Sequence, residues 1–369
     1  MSSKKNDIKI KFCETPDDIR RCNDFYNEFY REKRSIKKWK WLFKSEIISK
    51  SLFVFAELDG KIVGTQAIIP MFFLGKKGKY LTAKTEETLL SPSVRGLGIF
   101  EKMYECIFDR IRDEEIKFIW GFSPAIKPFK KVGFEVPAFT KQLIFPLNSL
   151  AIENFLLNKK SKIVLIIMRI ASFLLSLYSF TKLFLIKKKN SKYFKDYKLN
   201  YIDKLCTDFD KISTKFHESW NGETILRDKS FLEWRFFNNP FIQANIIGVY
   251  KSNNLVGWLS YSIDENSVAY IVDVHLLSYK NNEENIILDL LLLRLISDVK
   301  KAGVSGIRNW NISGHKFDNF IKIRCLRNGF YFINKGKPIV WKNLSNDKDY
   351  DWDNKNIYIN RVFSLGPLG

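Results

Sequence analysis

Six consecutive residues, Arg95-Gly96-Leu97-Gly98-Ile99-Phe100, carry the most readable chemistry of this chain. Two glycines allow a turn in which several backbone N–H groups face one point. Ile99, Met103, Cys106, Ile107 and Ile111 recur at helical spacing, which predicts a helix beginning there. A helix start adds partial positive charge, so the turn is a cradle for an anion, and Arg95 beside it suits a phosphate. Upstream, Leu89-Leu90 ends an apolar strand that passes through Glu86-Glu87. Side chains alternate across a strand, so one of these carboxylates faces any cleft the strand lines. Both are candidates for a general base; Glu86, on the face of Thr88 and Leu90, is preferred. An ordinary strand-surface role is at least as well founded for either.

A Gly-x-Gly before a helix is a weak signal, but the wider run Leu-x-Pro-x-x-Arg-Gly-x-Gly-Ile is more specific. It resembles the acyl-CoA pyrophosphate loop of the GNAT superfamily of N-acetyltransferases, Gln/Arg-x-x-Gly-x-Gly/Ala. Arg95 and Gly98 match, and Phe100 stands where the last small residue is usual. Further on, Phe129 to Phe134 resembles the superfamily's closing Tyr-x-x-x-Gly-Phe, with Phe129 in the Tyr position. The resemblance covers most of residues 8–145. It implies an N-acetyltransferase that takes acetyl-CoA as acyl donor, held by Leu89, Leu90, Arg95, Gly96, Leu97, Gly98, Ile99 and Phe100. It also implies that the strand end Thr88–Leu90 contacts the pantetheine and acetyl group, where its backbone N–H groups would polarise the thioester carbonyl. Phe129 cannot protonate a leaving thiolate, so another donor or water has that task.

These residues need elements to position them. Ile8 to Phe12 alternates as a strand, and Thr15-Pro16-Asp17-Asp18 is a helix entry with a capping Thr, a first-turn Pro and two acids. A second helix carries Trp39, Trp41, Leu42 and Phe43. Leu52–Glu57 and Lys61–Ile69 flank Asp59-Gly60, a strong hairpin signal. A strand from about Leu81 to Leu90, a helix from Glu101 to Arg112, a strand over 117–122 and a short helix near 127–132 complete the first half. Strands, helix, then strands predict a mixed α/β (α+β) sheet splayed over a cofactor.

The second half repeats the first. Trp41 and Trp234 are 193 residues apart, as are Gly64 and Gly257. Leu89-Leu90-Ser91 matches Leu276-Leu277-Ser278, and Gly133-Phe134 matches Gly329-Phe330. The expectation is two tandem GNAT-like domains: 1–150 binding the cofactor, a basic apolar connector over 151–200, and 201–369. By this alignment Asn282 replaces Arg95, Asn285 replaces Gly98 and Asp273 faces Glu86, while Glu283 and Glu284 would repel a pyrophosphate. The second copy is therefore expected to keep the fold without the cofactor.

The net charge of +21 calls for anionic company. Residues 151–200 hold eleven Lys and Arg against two acids, Glu153 and Asp196. Between Lys159-Lys160-Ser161-Lys162 and Lys187-Lys188-Lys189 lies an apolar stretch whose charge-free part, Ile170–Thr181, is twelve residues. That is short of the about 20 needed to span a bilayer. A helix lying at an anionic membrane surface through 159–189, and a helical hairpin packed on the domains, are weighted equally, with a small remainder for spanning. Five scattered cysteines and three dispersed histidines predict reduced thiols and no metal site. Met1–Asp7 precedes no apolar run, which predicts no secretory leader and a cytoplasmic chain, peripheral at most to the membrane's inner face.

Tandem GNAT-like chains with a Trp-Arg-Phe element, here Trp234-Arg235-Phe236, look like those of bacterial surface-polysaccharide pathways. That implies an amino group on a sugar, free or lipid-linked, as acceptor, and no nucleic acid. Tryptophans and Arg235 could serve a sugar or phosphate, though an aromatic core is favoured. Two rivals stand beside this reading: a Fem-type aminoacyltransferase taking aminoacyl-tRNA, and a degenerate scaffold that binds CoA or a partner without turnover.

Overall fold

The computed structural model describes residues 8–44, 51–156, 161–193, 195–312 and 314–364. Met1–Asp7, on which the leader reading rests, and Lys159-Lys160 lie outside the described residues. The chain forms two compact units. Unit 1 comprises residues 1–73, 79–138 and 337–352; unit 2 comprises 74–78, 139–336 and 353–369.

Unit 1 runs β1 (Lys9–Phe12), α1 (Pro16–Phe29), α2 (Ile36–Phe43), β2 (Leu52–Leu58), β3 (Lys61–Gly75), β4 (Gly78–Leu90), α3 (Ile99–Arg110), β5 (Phe118–Phe122), α4 (Ile126–Lys131) and the start of β6 (Glu135–Pro146). Local chemistry sets the boundaries. Thr15 Oγ1 accepts from the Asp18 amide at 3.1 Å while Asp18 accepts from the Thr15 amide at 3.0 Å, a reciprocal cap for α1. Asp59 and Gly60 both have positive φ, 51° and 75°, as a two-residue hairpin turn between β2 and β3 requires. Helix α3 buries Ile99, Phe100, Met103, Tyr104 and Ile107 against β-strand residues Val54, Ala56, Ala83 and Ile119.

Unit 2 runs α5 (Ala151–Leu156), α6 (Lys162–Asn190), β7 (Lys198–Tyr201), α7 (Thr207–Trp220), β8 (Thr224–Ile225), α8 (Lys229–Leu232), β9 (Asn245–Lys251), β10 (Asn254–Ile263), β11 (Val268–Leu276), α9 (Glu283–Lys301), β12 (Gly306–Asn311), α10 (Lys316–Arg327) and the start of β13 (Tyr331–Asn343). Its core packs Leu288, Leu291, Leu292 and Leu295 of α9 with Leu259, Ile271 and Val274 of β10 and β11.

Strand order is β1-β2-β3-β4-β5-β13 in unit 1 and β7-β9-β10-β11-β12-β6 in unit 2. Each contains a parallel neighbouring pair, β4 with β5 and β11 with β12. The final strand of each unit comes from elsewhere in the chain. Ile339–Asn343 pairs antiparallel with Phe122–Phe118, and Lys141–Pro146 pairs antiparallel with Asn311–Gly306. The units group the chain otherwise than the expected linear division: 139–200 falls within unit 2, and 337–352 within unit 1.

The internal repeat is visible in close contacts. A Cβ on Gly64 would lie 2.5 Å from Leu90 and 3.6 Å from Met103; one on Gly257 would lie 2.9 Å from Leu276 and 3.0 Å from Ile287. Met103 and Ile287 are each the fifth residue of their helix, α3 and α9. Gly98 and Asn282 are the caps of those helices, both left-handed, with φ 73° and 58°. The sequence pairing therefore needs correcting. Leu276 answers to Leu90 and Asn282 to Gly98, because the loop into α9 is shorter than the loop into α3.

The basic apolar stretch forms one continuous helix, α6. It is the one helix among the described residues long and apolar enough to cross a membrane. Its buried residues are Ser172, Ser176, Ser179 and Asn190; Phe180 and Leu183 pack on the unit 2 core, and most of its other large apolar side chains are exposed.

Candidate active site

The site is built where β4 and β5 part. Among the described residues their parallel pairing is limited to Ala83 with Ile119 and Lys84 with Trp120. Just beyond, Gly121 lies against Thr85, so closely that a Cβ there would sit 3.0 Å from the Thr85 carbonyl oxygen. Past that point β4 continues to Leu90 with no strand on its β5 side, leaving an edge of backbone groups. A polar chain fixes its other side. Gln66 Nε2 donates to Thr85 Oγ1 at 2.9 Å and to the Glu86 carbonyl at 3.0 Å, and Thr88 Oγ1 donates to Gln66 Oε1 at 2.7 Å.

A cleft of about 580 Å³ opens at this edge, lined by Thr88, Leu89 and Leu90, by the turn before α3, and by Ala125, Lys127, Pro128 and Lys131. Gly98 cannot cap α3 with a side chain, so the amides of Ile99, Phe100 and Glu101, which have no partner within the helix, begin at the cleft wall. A Cβ at Gly96 or Gly98 would meet nothing within 4 Å, so the turn is an open cradle. Arg95 Nη2 lies 3.5 Å from the Leu90 carbonyl, and Lys131 pairs with Glu101 at 3.2 Å. Three cations against one paired carboxylate leave the wall positive. These features fit the diphosphate of an acyl-CoA.

The predicted residues fall into three groups. Leu89, Leu90, Arg95, Gly96, Gly98, Ile99 and Phe100 line the cleft. Leu97 does not, and its side chain is 58% exposed. Glu86 and Glu87 are not among the lining residues either. Glu86 is ion-paired with Lys84 and its side chain is 24% exposed. Glu87 has left-handed backbone, φ 57°, with both oxygens held by Arg34 at 2.7 and 2.8 Å. Lys127 and Lys131 were not foreseen; their signal was two lysines on the short helix facing the cradle.

Phe100 occupies the usual small-residue position without blocking it. Its ring turns into the core, 5.1 Å from Phe129 and 4.9 Å from Tyr104. Phe129 is itself fully buried, 5.0 Å from Phe134. Tyr104 shares a 2.7 Å hydrogen bond with Thr85 Oγ1, and burial pushes its hydroxyl pKa up. Neither ring offers an acid to the cleft.

The corresponding helix start in unit 2 carries acids where unit 1 has glycine and open amides. Glu284 accepts from the Tyr279 amide at 3.2 Å, so a carboxylate from the first turn of α9 folds back over its own loop. Glu283 pairs with Lys251 at 2.6 Å. Arg235 is buried and donates to the carbonyls of Val362 and Ser364 at 3.1 and 2.7 Å; burial lowers its pKa to about 10. These bonds to backbone carbonyls fit the core role favoured for it. Trp39, Trp41, Trp120, Trp234 and Trp310 are buried, as an aromatic core demands.

No protein-family model matches the sequence, and no curated protein matches it. Solved structures do. A GCN5-related N-acetyltransferase from Anabaena variabilis aligns at a TM-score of 0.60 and 11% identity, over 91% of this chain and 73% of that one. A tandem GNAT protein from the clavulanic acid biosynthesis pathway gives 0.54 and 10%, over 92% and 99%. Saccharomyces cerevisiae N-myristoyltransferase with bound myristoyl-CoA gives 0.61 and 10%, over 95% and 89%. At such identities the likeness is one of fold: the chain is a mixed α/β protein of two tandem GNAT-like units.

Proposed function

We propose that the protein is an acyl-CoA-dependent N-acyltransferase whose donor, acetyl-CoA, binds unit 1. One observation carries this reading: the uncapped start of α3 behind Gly96 and Gly98 opens on a positive cleft at a splayed strand edge. The amides of Ile99 to Glu101 would hold the diphosphate with Arg95, and Thr88–Leu90 would pair with the pantetheine. Glu86 is the better base, because Glu87 has both oxygens engaged by Arg34. Glu86 does not line the cleft, so in this role it would act through water. An amino group on a sugar of surface-polysaccharide type is the acceptor class, supported by the sequence resemblance.

Calorimetry with acetyl-CoA on the wild type and on Arg95→Glu tests the donor site. Binding to the wild type that the variant loses supports the assignment; no heat from either removes it. A second reading, CoA binding without turnover, draws on the burial of Phe129, which leaves the thiolate without a tyrosine. Release of free thiol from acetyl-CoA over a panel of amino sugars separates the two.

A further inference from the structure

Helix α6 buries mostly serines and leaves most of its large apolar side chains exposed. Ser172 accepts from the Ile152 amide at 3.1 Å, Ser179 donates to the Gly329 carbonyl at 2.8 Å, and Asn190 donates to Asp289 at 2.7 Å. These small and polar residues, joined by Phe180 and Leu183, form the face that meets unit 2. The opposite face presents Ile163, Ile166, Ile167, Ile170, Phe173, Leu174, Leu177, Phe184 and Leu185, each more than half exposed. Their spacing of three and four residues makes one stripe along the helix. A contiguous apolar face of this size marks a surface with a partner.

We propose that this stripe docks unit 2 onto an anionic lipid bilayer, with α6 lying in the interface. Charge identifies the occupant. Lys162 begins the helix, and Lys187, Lys188 and Lys189 end it, all exposed, where lysines reach headgroup phosphates from an embedded apolar face. Alongside Leu185 opens a cavity of about 840 Å³ walled by Lys182, Lys189, Arg324 and Arg327. Its single lining carboxylate, Asp289, is already engaged by Arg324, Asn190 and Asn328. A headgroup phosphate from the same leaflet fits there. The helix lies flat and does not cross. Its serine face is bonded to a folded unit, and a crossing would carry the Arg169–Glu153 pair, at 2.6 Å, and Lys182 into hydrocarbon. At about 1.5 Å per residue the helix covers about 43 Å of surface, with its apolar side sunk about 5–10 Å below the headgroups.

Flotation of the full chain with vesicles tests this. Vesicles of phosphatidylglycerol and phosphatidylethanolamine should carry the wild type upward at low salt; pure phosphatidylcholine vesicles, or high salt, should carry little. Ile170→Ser with Leu174→Ser should abolish flotation without changing circular dichroism. Lys187→Ala, Lys188→Ala and Lys189→Ala together should weaken it by roughly fivefold per lysine. Wild type left at the bottom with anionic vesicles overturns the proposal. So does a wild-type dimer in sedimentation that the Ile170→Ser, Leu174→Ser variant turns into a monomer, since a second copy would then own the stripe.

Discussion

Glu87 and Asp273 occupy the same position in the two halves of the duplication, and each is gripped by an arginine 193 residues from its counterpart. Arg34 holds Glu87 with side chains only 3% and 4% exposed, and Arg227 holds Asp273 at 2.7 and 3.2 Å with both fully buried. This makes Asp273 the partner of Glu87, not of Glu86 as the sequence pairing has it. Two units with different fates for their helix starts keep the same ion pair, so its common role is to hold the strand before that helix.

Removing one partner leaves an uncompensated buried charge. Arg34→Met and Arg227→Met should each lower unfolding free energy by about 3–5 kcal/mol, read as a shift in urea midpoint. Arg34→Met combined with Glu87→Leu should recover most of the loss, as replacing a whole buried pair often does. A single substitution that costs under about 1 kcal/mol would contradict this role.

Gly98→Asn imports into unit 1 the residue that caps α9. Asparagine tolerates left-handed backbone, so thermal stability should change little. Asn282 makes no side-chain cap bond in this left-handed geometry, so the new side chain would act by bulk, filling the cradle where Gly98 leaves it open. Acetyl-CoA affinity by calorimetry should fall about tenfold or more, the equivalent of about 1.4 kcal/mol. Unchanged affinity would move the diphosphate away from this turn.

Two buried histidines set an acid limit on unit 2. Burial lowers His315 to about 4 and His275 well below its ordinary value. His315 caps α10 by accepting from the Phe317 amide at 3.1 Å, which requires an unprotonated nitrogen; Lys316 and His217 nearby oppose its charging and Asp353 favours it. Arg227 opposes the charging of His275. Both are neutral when folded and titrate near 6.5 when unfolded, so the unfolded chain binds more protons below that pH. Stability from this source is complete above about pH 6.5 and falls as pH drops towards 4, by about 1.4 kcal/mol per pH unit per histidine. Denaturation midpoints against pH should show that slope, and His315→Asn, which keeps a cap, should remove about half of it.

The exchanged strands predict how fragments behave. Residues 1–150 alone lack Ile339–Asn343, and with them the stack of Trp341 on Phe118 at 3.9 Å. The bare β5 edge should make this fragment aggregate, and a peptide of residues 337–352 should raise its soluble fraction in sedimentation. A fragment 1–150 that is monomeric and cooperative on heating would show that the borrowed strand is dispensable.

Local chemistry was readable wherever one short segment decided the outcome. Thr15-Pro16 announced α1, Asp59-Gly60 the hairpin, and Gly96-x-Gly98 the cradle, because each works through its own backbone. The exchange of Ile339–Asn343 for Lys141–Pro146 was not readable, since alternating apolar residues say that a strand exists and not which neighbour it takes. The Arg34–Glu87 pair was within reach: Arg34 and Arg227 share the 193-residue spacing of Trp41 and Trp234. It was missed because a charge on its own looks like surface. The left-handed backbone at Glu87 left no such trace, and it breaks the regular alternation on which the choice between two neighbouring carboxylates depended.

Gly121 against Thr85 marks the apex of the wedge between β4 and β5, and that contact has no slack. A side chain at 121 would pry the strands open earlier, and nothing smaller than glycine exists to let them close later. The apex therefore works as a depth stop, giving whatever chain enters the wedge a floor at one fixed level.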